Sequence, residues 1–350
     1  MNNFSSSIPL LLASFCMASI LSSCSSTTSG PNTTTATEGQ GRIVYMNTTL
    51  SPNPTSSSVV ITDSTGTTST TLGAGFVWSV AANRIVWDST GGHDLDDGKG
   101  DATIMISTNS GVNKAVWKSS QAVRLASMPI ISPDGLHVAF ITEENTIRLH
   151  VFDVASDGMS ITNDRVIDSA IHDKIMPSFS PDGSKIAYYS HIGSNQFLTI
   201  RQLNGTAIAQ IPNGEDQGNI PGNVEWSPSG DKIAFGADGV IRVVNADGSN
   251  PIAVDSGGDP DWSPDGKTIA YESPYFPGHA ITDIVLTSND GATKDTLPNP
   301  SHELRFMPAW SPDGEKIICT TGSTSIEVID VASGAAKTIA SPGFTGAWLR

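Results

Sequence analysis

The stretch PAWSPDGEKIICTT, Pro308–Thr321, decides the fold. Nearly the same phrase stands at 260–273 as PDWSPDGKTIAYES and at 177–190 as PSFSPDGSKIAYYS. Shorter forms occur at 131–140, ISPDGLHVAF, and at 226–235, WSPSGDKIAF; a degenerate copy at 77–87, VWSVAANRIVW, lacks the Pro and the Gly. Each joins a large apolar residue to an alternating β-rich run through a tight turn. Pro presets φ at the first central position, Asp can bond its own backbone, and Gly accepts the positive φ that re-enters the next strand. The pattern is that of a β-hairpin.

A second mark lies downstream of each hairpin. Seven segments, from VVITDSTG to IEVIDVASG, end in Gly66, Gly111, Gly158, Gly205, Gly248, Gly291 and Gly334, at spacings of 45, 47, 47, 43, 43 and 43 residues. Each unit of about 45 residues has room for four short strands, A to D, the size of one β-propeller blade. The expected fold class is all-β, a seven-bladed β-propeller, with six blades as the alternative. GRIVYMN (41–47) has the shape of a B strand, but no hairpin precedes it; GAWLR (346–350) has the shape of an A strand. Residues 41–75 would then supply B, C and D of one blade and 346–350 its A strand, which closes the ring and removes an open sheet edge. Trp78, Trp226, Trp262, Trp310 and Trp348 share one repeat position, which points to packing between neighbouring sheets.

The recurring PxWSPDGxxIAF phrase resembles the WD-repeat-like blades of the TolB-like β-propeller family, over nearly all of residues 41–350. That family includes outer-membrane lipoproteins and the propellers of prolyl oligopeptidase relatives. TolB itself departs from the pattern, since it pairs six blades with an N-terminal α/β domain. The hydrolase relatives need a separate catalytic domain, for which this chain has no room.

The 350 residues include 33 glycines and 21 prolines, and 38% are hydrophobic, a balance that suits a turn-rich all-β protein. With 19 basic against 35 acidic residues the formal net charge is −16, and no Lys/Arg cluster is present, which argues against nucleic acid. At the N-terminus IPLLLASFCMASIL, Ile8–Leu21, is too short to span a bilayer and has the form of a signal-peptide core. It runs into Leu21-Ser22-Ser23-Cys24, which resembles the lipobox of bacterial lipoproteins, although no Lys or Arg precedes it. The expected division is a signal peptide at 1–23, a Ser/Thr-rich tether at 24–40 lipidated on Cys24, and a propeller at 41–350. An ordinary secretory signal cleaved nearby is the alternative. Cys319 is then left without a disulfide partner and is expected as a small core residue.

Motifs that carry chemistry are sparse in the sequence. The nucleophile elbow G-x-S-x-G, a phosphate loop and a zinc helix motif are all absent. HDLDDGKGD, 93–101, brings Asp94, Asp96, Asp97 and Asp101 close together; they are candidate ligands for calcium, but EF-hand spacing fails and a solvated loop is the plainer reading. Five of the seven histidines fall in D–A and B–C connections, His172 and His302 among them. Oligogalacturonate lyases, which resemble this repeat class, hold a metal through histidine in such a place, so a metal-dependent carbohydrate lyase or hydrolase is the alternative function. No cofactor is expected otherwise. The preferred expectation is a monomeric, non-enzymatic propeller, lipid-anchored in a bacterial cell envelope. It is placed on the outer membrane facing the periplasm and binds an envelope protein or cell-surface ligand through its loop-rich face. Tyr275, Phe276, Arg305 and Phe306 are the binding candidates, with His172 and His302 beside them, on the expectation that exposed aromatic and Arg side chains carry binding energy.

Overall fold

A computed structural model describes residues 41–47, 57–89, 103–118, 125–143, 146–171, 176–192, 195–215, 223–274 and 282–349. Every regular element among them is a strand. The first six are β1 (Arg42–Asn47), β2 (Ser58–Asp63), β3 (Ser69–Ala81), β4 (Arg84–Ser89), β5 (Thr103–Thr108) and β6 (Asn113–Lys118). Next come β7 (Leu125–Ile131), β8 (His137–Glu143), β9 (Ile147–Val154) and β10 (Ile161–Ile171), then β11 (Ser178–Phe179), β12 (Lys185–Ile192), β13 (Asn195–Gln202) and β14 (Ala207–Glu215). They are followed by β15 (Val224–Trp226), β16 (Lys232–Ala237), β17 (Val240–Asn245) and β18 (Ile252–Ser256), and by β19 (Gly258–Trp262), β20 (Thr268–Glu272), β21 (Ile284–Ser288) and β22 (Lys294–Thr296). The last are β23 (Arg305–Trp310), β24 (Lys316–Thr321), β25 (Ile326–Asp330), β26 (Ala336–Ala340) and β27 (Phe344–Leu349).

From β7 to β26 these strands form five antiparallel four-stranded sheets, each from consecutive strands. The remaining seven make one sheet in the order β27-β1-β2-β3-β4-β5-β6. The long β3 explains its size. Residues Ser69–Ala74 pair with β2 and Gly75–Ala81 with β4, so two groups of four share one strand. The change of partner falls at Gly75, at φ 154°, where a Cβ would lie 2.0 Å from the Asp88 carbonyl oxygen. Only Gly fits there. β27 pairs antiparallel with β1, with Ile43 opposite Trp348 and Val44 opposite Ala347.

The Ser-Pro-Asp-Gly turns owe their recurrence to one bonding scheme. In the turn at Ser180–Gly183, the Gly N–H donates to the Ser carbonyl at 2.8 Å and the Ser hydroxyl donates to Asp182 at 2.6 Å. The same hydroxyl accepts the Lys185 N–H at 2.9 Å. The turns at Ser132, Ser263 and Ser311 repeat it. Where Ser229 replaces the Asp, the carboxylate of Asp231 takes over, accepting from Ser227 at 2.8 Å and from Ser229. The degenerate copy uses another device: Ala82 and Asn83 at φ 48° and 60° form a two-residue turn between paired Ala81 and Arg84.

The first strands of successive sheets pack on one another, β7 on β11, β11 on β15, β15 on β19, β19 on β23 and β23 on β27. Indole N–H groups tie three of these steps: Trp226 to the Ser178 carbonyl at 3.1 Å, Trp262 to Glu225 at 3.2 Å and Trp348 to Ala309 at 3.1 Å. The shared Trp position therefore packs between sheets, as its recurrence suggested. Two outer ties work through tyrosine. Tyr188 donates to Asp168 of the preceding sheet, which Arg201 also reaches at 3.2 Å; Tyr271 donates to Asp255, paired with Lys294 at 2.6 Å. Cys319 is free and buried, and burial pushes its thiol up to about 12.

Candidate functional site

Because first strands lie together, their beginnings form an inner rim. The D–A and B–C connections meet that rim, and the Ser-Pro-Asp-Gly turns lie at the other end of each hairpin. At four rim positions the residue before a Pro has left-handed backbone: Met128, Met176, Asp259 and Met307, at φ 55°, 31°, 47° and 54°. Three of these coincide with a register shift in the first hairpin, between Ser127 and Ile130, Gly258 and Asp261, and Phe306 and Ala309. An extra residue bulges there, at a cost of about 1–2 kcal/mol for a non-Gly residue.

Asp259 is the acidic member of this rim. The pairing of Gly258 with Glu272 brings a second carboxylate beside it, from the end of β20. Both residues are half-buried. Asp259 accepts the Asn223 backbone N–H at 3.2 Å, from the preceding sheet; Glu272 accepts the Met307 N–H at 3.4 Å, from the following one. Burial pushes the Asp259 carboxyl up to about 6. Glu272 is raised well above the usual carboxylate range, first by burial and then by the Asp259 charge. Two carboxyl groups so placed oppose each other's ionisation and together offer acceptors to a cationic or amine donor. Among the described residues no group of three or more His, Cys, Asp or Glu is arranged to hold a metal ion.

The connections above the pair are pinned at their bases. Ser273 N–H donates to Asp283 O and the Asp283 N–H to Ser273 Oγ, both at 2.9 Å. Tyr275 and Phe276 belong to the segment between and lie outside the described residues, as do His172, Cys24, Asp94, Asp96, Asp97 and Asp101. Asn299 ties the next connection to Asp283 and to the Glu303 carbonyl, each at 2.8 Å. His302 is exposed on that connection.

Arg305 and Phe306 do not match the expectation of exposed anchors: they are 1% and 8% accessible. The Arg305 guanidinium donates to Glu327 at 3.0 Å and to the Pro298 carbonyl at 2.8 Å, and its backbone exchanges bonds with Thr282. A buried cation must be paired, and Glu327 supplies the counter-charge. Arg305 bolts the loop to the sheet, while Phe306 joins an apolar cluster with Met307 and Phe344.

A chain of hydroxyl, imidazole and carboxylate also occurs in the third group of strands. Thr142 Oγ1 lies 3.0 Å from His150 Nε2, and His150 Nδ1 lies 2.8 Å from Asp164. The imidazole lies beside Phe140 and Phe152, nearly parallel to both, and these two rings stack on each other at 5.0 Å. Thr142 is 2% exposed, so its hydroxyl meets no substrate and the chain staples β8, β9 and β10 together.

No protein-family model and no curated protein matches the sequence. Solved structures do match. TolB from Acinetobacter baumannii superposes with a TM-score of 0.52 at 15% identity, over 99% of this chain and 93% of that one. The β-propeller domain of the Trilobed protease from Pyrococcus furiosus gives 0.55 at 15% identity, over 74% and 80%. The fold is that of a TolB-like β-propeller. A puromycin-hydrolyzing peptidase of Mycobacterium tuberculosis gives 0.61 at 13% identity and covers 93% of this chain, but only 54% of the peptidase is matched. Likeness at these identities concerns the propeller scaffold alone.

Proposed function

We propose that residues 41–350 form a closed seven-bladed propeller, with β27 as the A strand of the first blade, and that it works as a non-enzymatic binding module. In this reading residues 1–23 direct export and Cys24 carries the lipid. The propeller is then held at a bacterial outer membrane, facing the periplasm. Closure is supported by the β27–β1 register and by Trp348, which continues the indole ties across the junction.

The observation that carries the binding role is the Asp259–Glu272 pair, half-buried at the inner rim and bonded to backbone N–H groups of both neighbouring blades. Rigid carboxylates at the mouth of a chain with net charge −16 favour a partner presenting a cationic segment. The test is capture from envelope extract on soluble 41–350, run beside Asp259→Asn/Glu272→Gln. A partner held by the wild type, released by salt and lost in the double variant is expected. Equal capture by both removes the pair from the reading.

The same pair favours a second reading, an envelope enzyme acting on carbohydrate or peptide, because a carboxyl group that titrates near neutral pH suits general acid–base work. Stoichiometric Mn, Zn or Ca in the purified protein, lost on His172→Ala/His302→Ala, would favour it.

A further inference from the structure

Four large apolar side chains stand well exposed among the described residues: Val112, Leu136, Val166 and Ile252. Val166 lies within β10. The other three stand at the end of the sheets that carries the Ser-Pro-Asp-Gly turns, and none of the four stands at the rim end. Val112 is 60% exposed just after the turn glycine Gly111, Leu136 is 57% exposed just after Gly135, and Ile252 opens β18.

Val112 and Leu136 belong to neighbouring groups of strands, and Arg84 joins them. It pairs with Thr108, whose N–H donates to the Val112 carbonyl at 2.9 Å, and its guanidinium donates to the Gly135 carbonyl at 3.2 Å. Around the two apolar side chains, Arg42, Arg84 and Lys114 stand against Asp63, Asp134 and Asp157, with Lys114 3.1 Å from Asp157. The patch is balanced in charge, in a chain of net charge −16. It therefore lacks the excess of carboxylates by which the rest of the surface is repelled from an anionic lipid surface.

The polypeptide also enters on this face. A Cβ on Gly41 would lie 3.7 Å from Ser64 Oγ, and Arg42 donates to the Asn109 carbonyl at 2.7 Å, in the turn that leads to Val112. Residues 25–40 separate this point from Cys24. A coil of that length spans about 22 Å on average. A six-residue strand such as β1 places the rim about 20 Å farther along.

We propose that the patch around Val112 and Leu136 rests on the lipid surface in which Cys24 is anchored. This rests on the lipoprotein reading above and adds the face to it: the rim with Asp259 and Glu272 points away from the membrane, open to a partner. The anchor supplies the local concentration. Two apolar side chains, with the stems of Arg84 and Lys114 beside them, then suffice to set the orientation.

The test uses the full chain purified from bacterial membranes. Mass spectrometry of its N-terminal peptide first reads whether Cys24 is acylated; an unmodified Cys24 overturns the anchoring itself. The acylated chain is placed in vesicles of phosphatidylethanolamine and phosphatidylglycerol containing brominated lipid. An environment-sensitive fluorophore is carried on Val112→Cys, on Leu136→Cys or, at the rim end, on Ser301→Cys. All three positions are exposed, and Cys319 is buried. Quenching should be several-fold stronger at 112 and 136 than at 301, and Val112→Asp should weaken it at 136. With Cys24 acylated, quenching that is absent, equal at all three positions or strongest at 301 overturns the proposal and leaves the lipoprotein reading standing. A blue shift at 112 and 136 without quenching means that a protein covers the patch, and overturns it as well.

Discussion

Asp88 makes the stability of this propeller depend on pH in a predictable direction. Its side chain is 1% exposed, and burial pushes the carboxyl from an ordinary 3.8 up to about 7, against the Trp78 indole N–H that donates to it at 2.6 Å. Between those values the folded protein holds one more proton than the unfolded chain. The contribution of this group is therefore whole below about pH 4 and is lost as pH rises through 7. A shift of about three units at 1.36 kcal/mol each sets an upper bound of about 4 kcal/mol lost across the window. Asp88→Asn keeps an acceptor for Trp78 and removes the titration. Its buried amide costs about 1 kcal/mol at every pH. Urea unfolding of both proteins at pH 4.5, 6 and 8, followed by tryptophan fluorescence, gives the difference with all shared titrations cancelled. The variant should be near or slightly below the wild type at pH 4.5 and clearly more stable at pH 8, by about 2–3 kcal/mol. A gap that stays constant with pH would refute the reasoning.

Other consequences are separable from this one. Arg305→Ala strands Glu327 and should destabilise by about 3–5 kcal/mol in the same urea assay, with partner capture unchanged below the unfolding range, because the side chain is interior. Tyr188→Phe removes the tie between Asp168 and its neighbouring blade and should cost about 1.5–3 kcal/mol, the worth of a bond to a charged group; a null effect would mean Arg201 alone holds Asp168. Gly75→Ala drives a Cβ into the Asp88 carbonyl and should leave little soluble protein on expression.

Local chemistry made most of the fold legible. The Ser-Pro-Asp-Gly turn bonds to itself within six residues, so each hairpin could be recognised without knowing its neighbours, and the glycine spacing then gave the repeat. The link between Ala347 and Val44 was legible because one end of the chain shows a B strand without an A strand and the other an A strand without a B strand. Side-chain exposure was not legible. Arg305 looks like a surface anchor in LPNPSHELRFMPA, and nothing local shows that Glu327, 22 residues on, pairs with it.

The carboxylate pair was missed although the repeat contains its signal. Lining up the blades sets Asp259 in the column of Met128, Met176 and Met307, and Glu272 in the column of Met46, Ile141 and Tyr189. Apart from Asp88, the sibling blades carry Gly, Asn, Thr or an apolar residue in these columns, so the repeat does not require an acid at either place. Asp88 stands in the Glu272 column as well, but lies almost fully buried with Trp78, whereas Glu272 is half-buried beside a second carboxyl group. The column locates an acid that the scaffold does not need. The packing around that acid separates a buried titrating group, which tunes stability, from a half-buried rim pair, on which the proposed binding role rests.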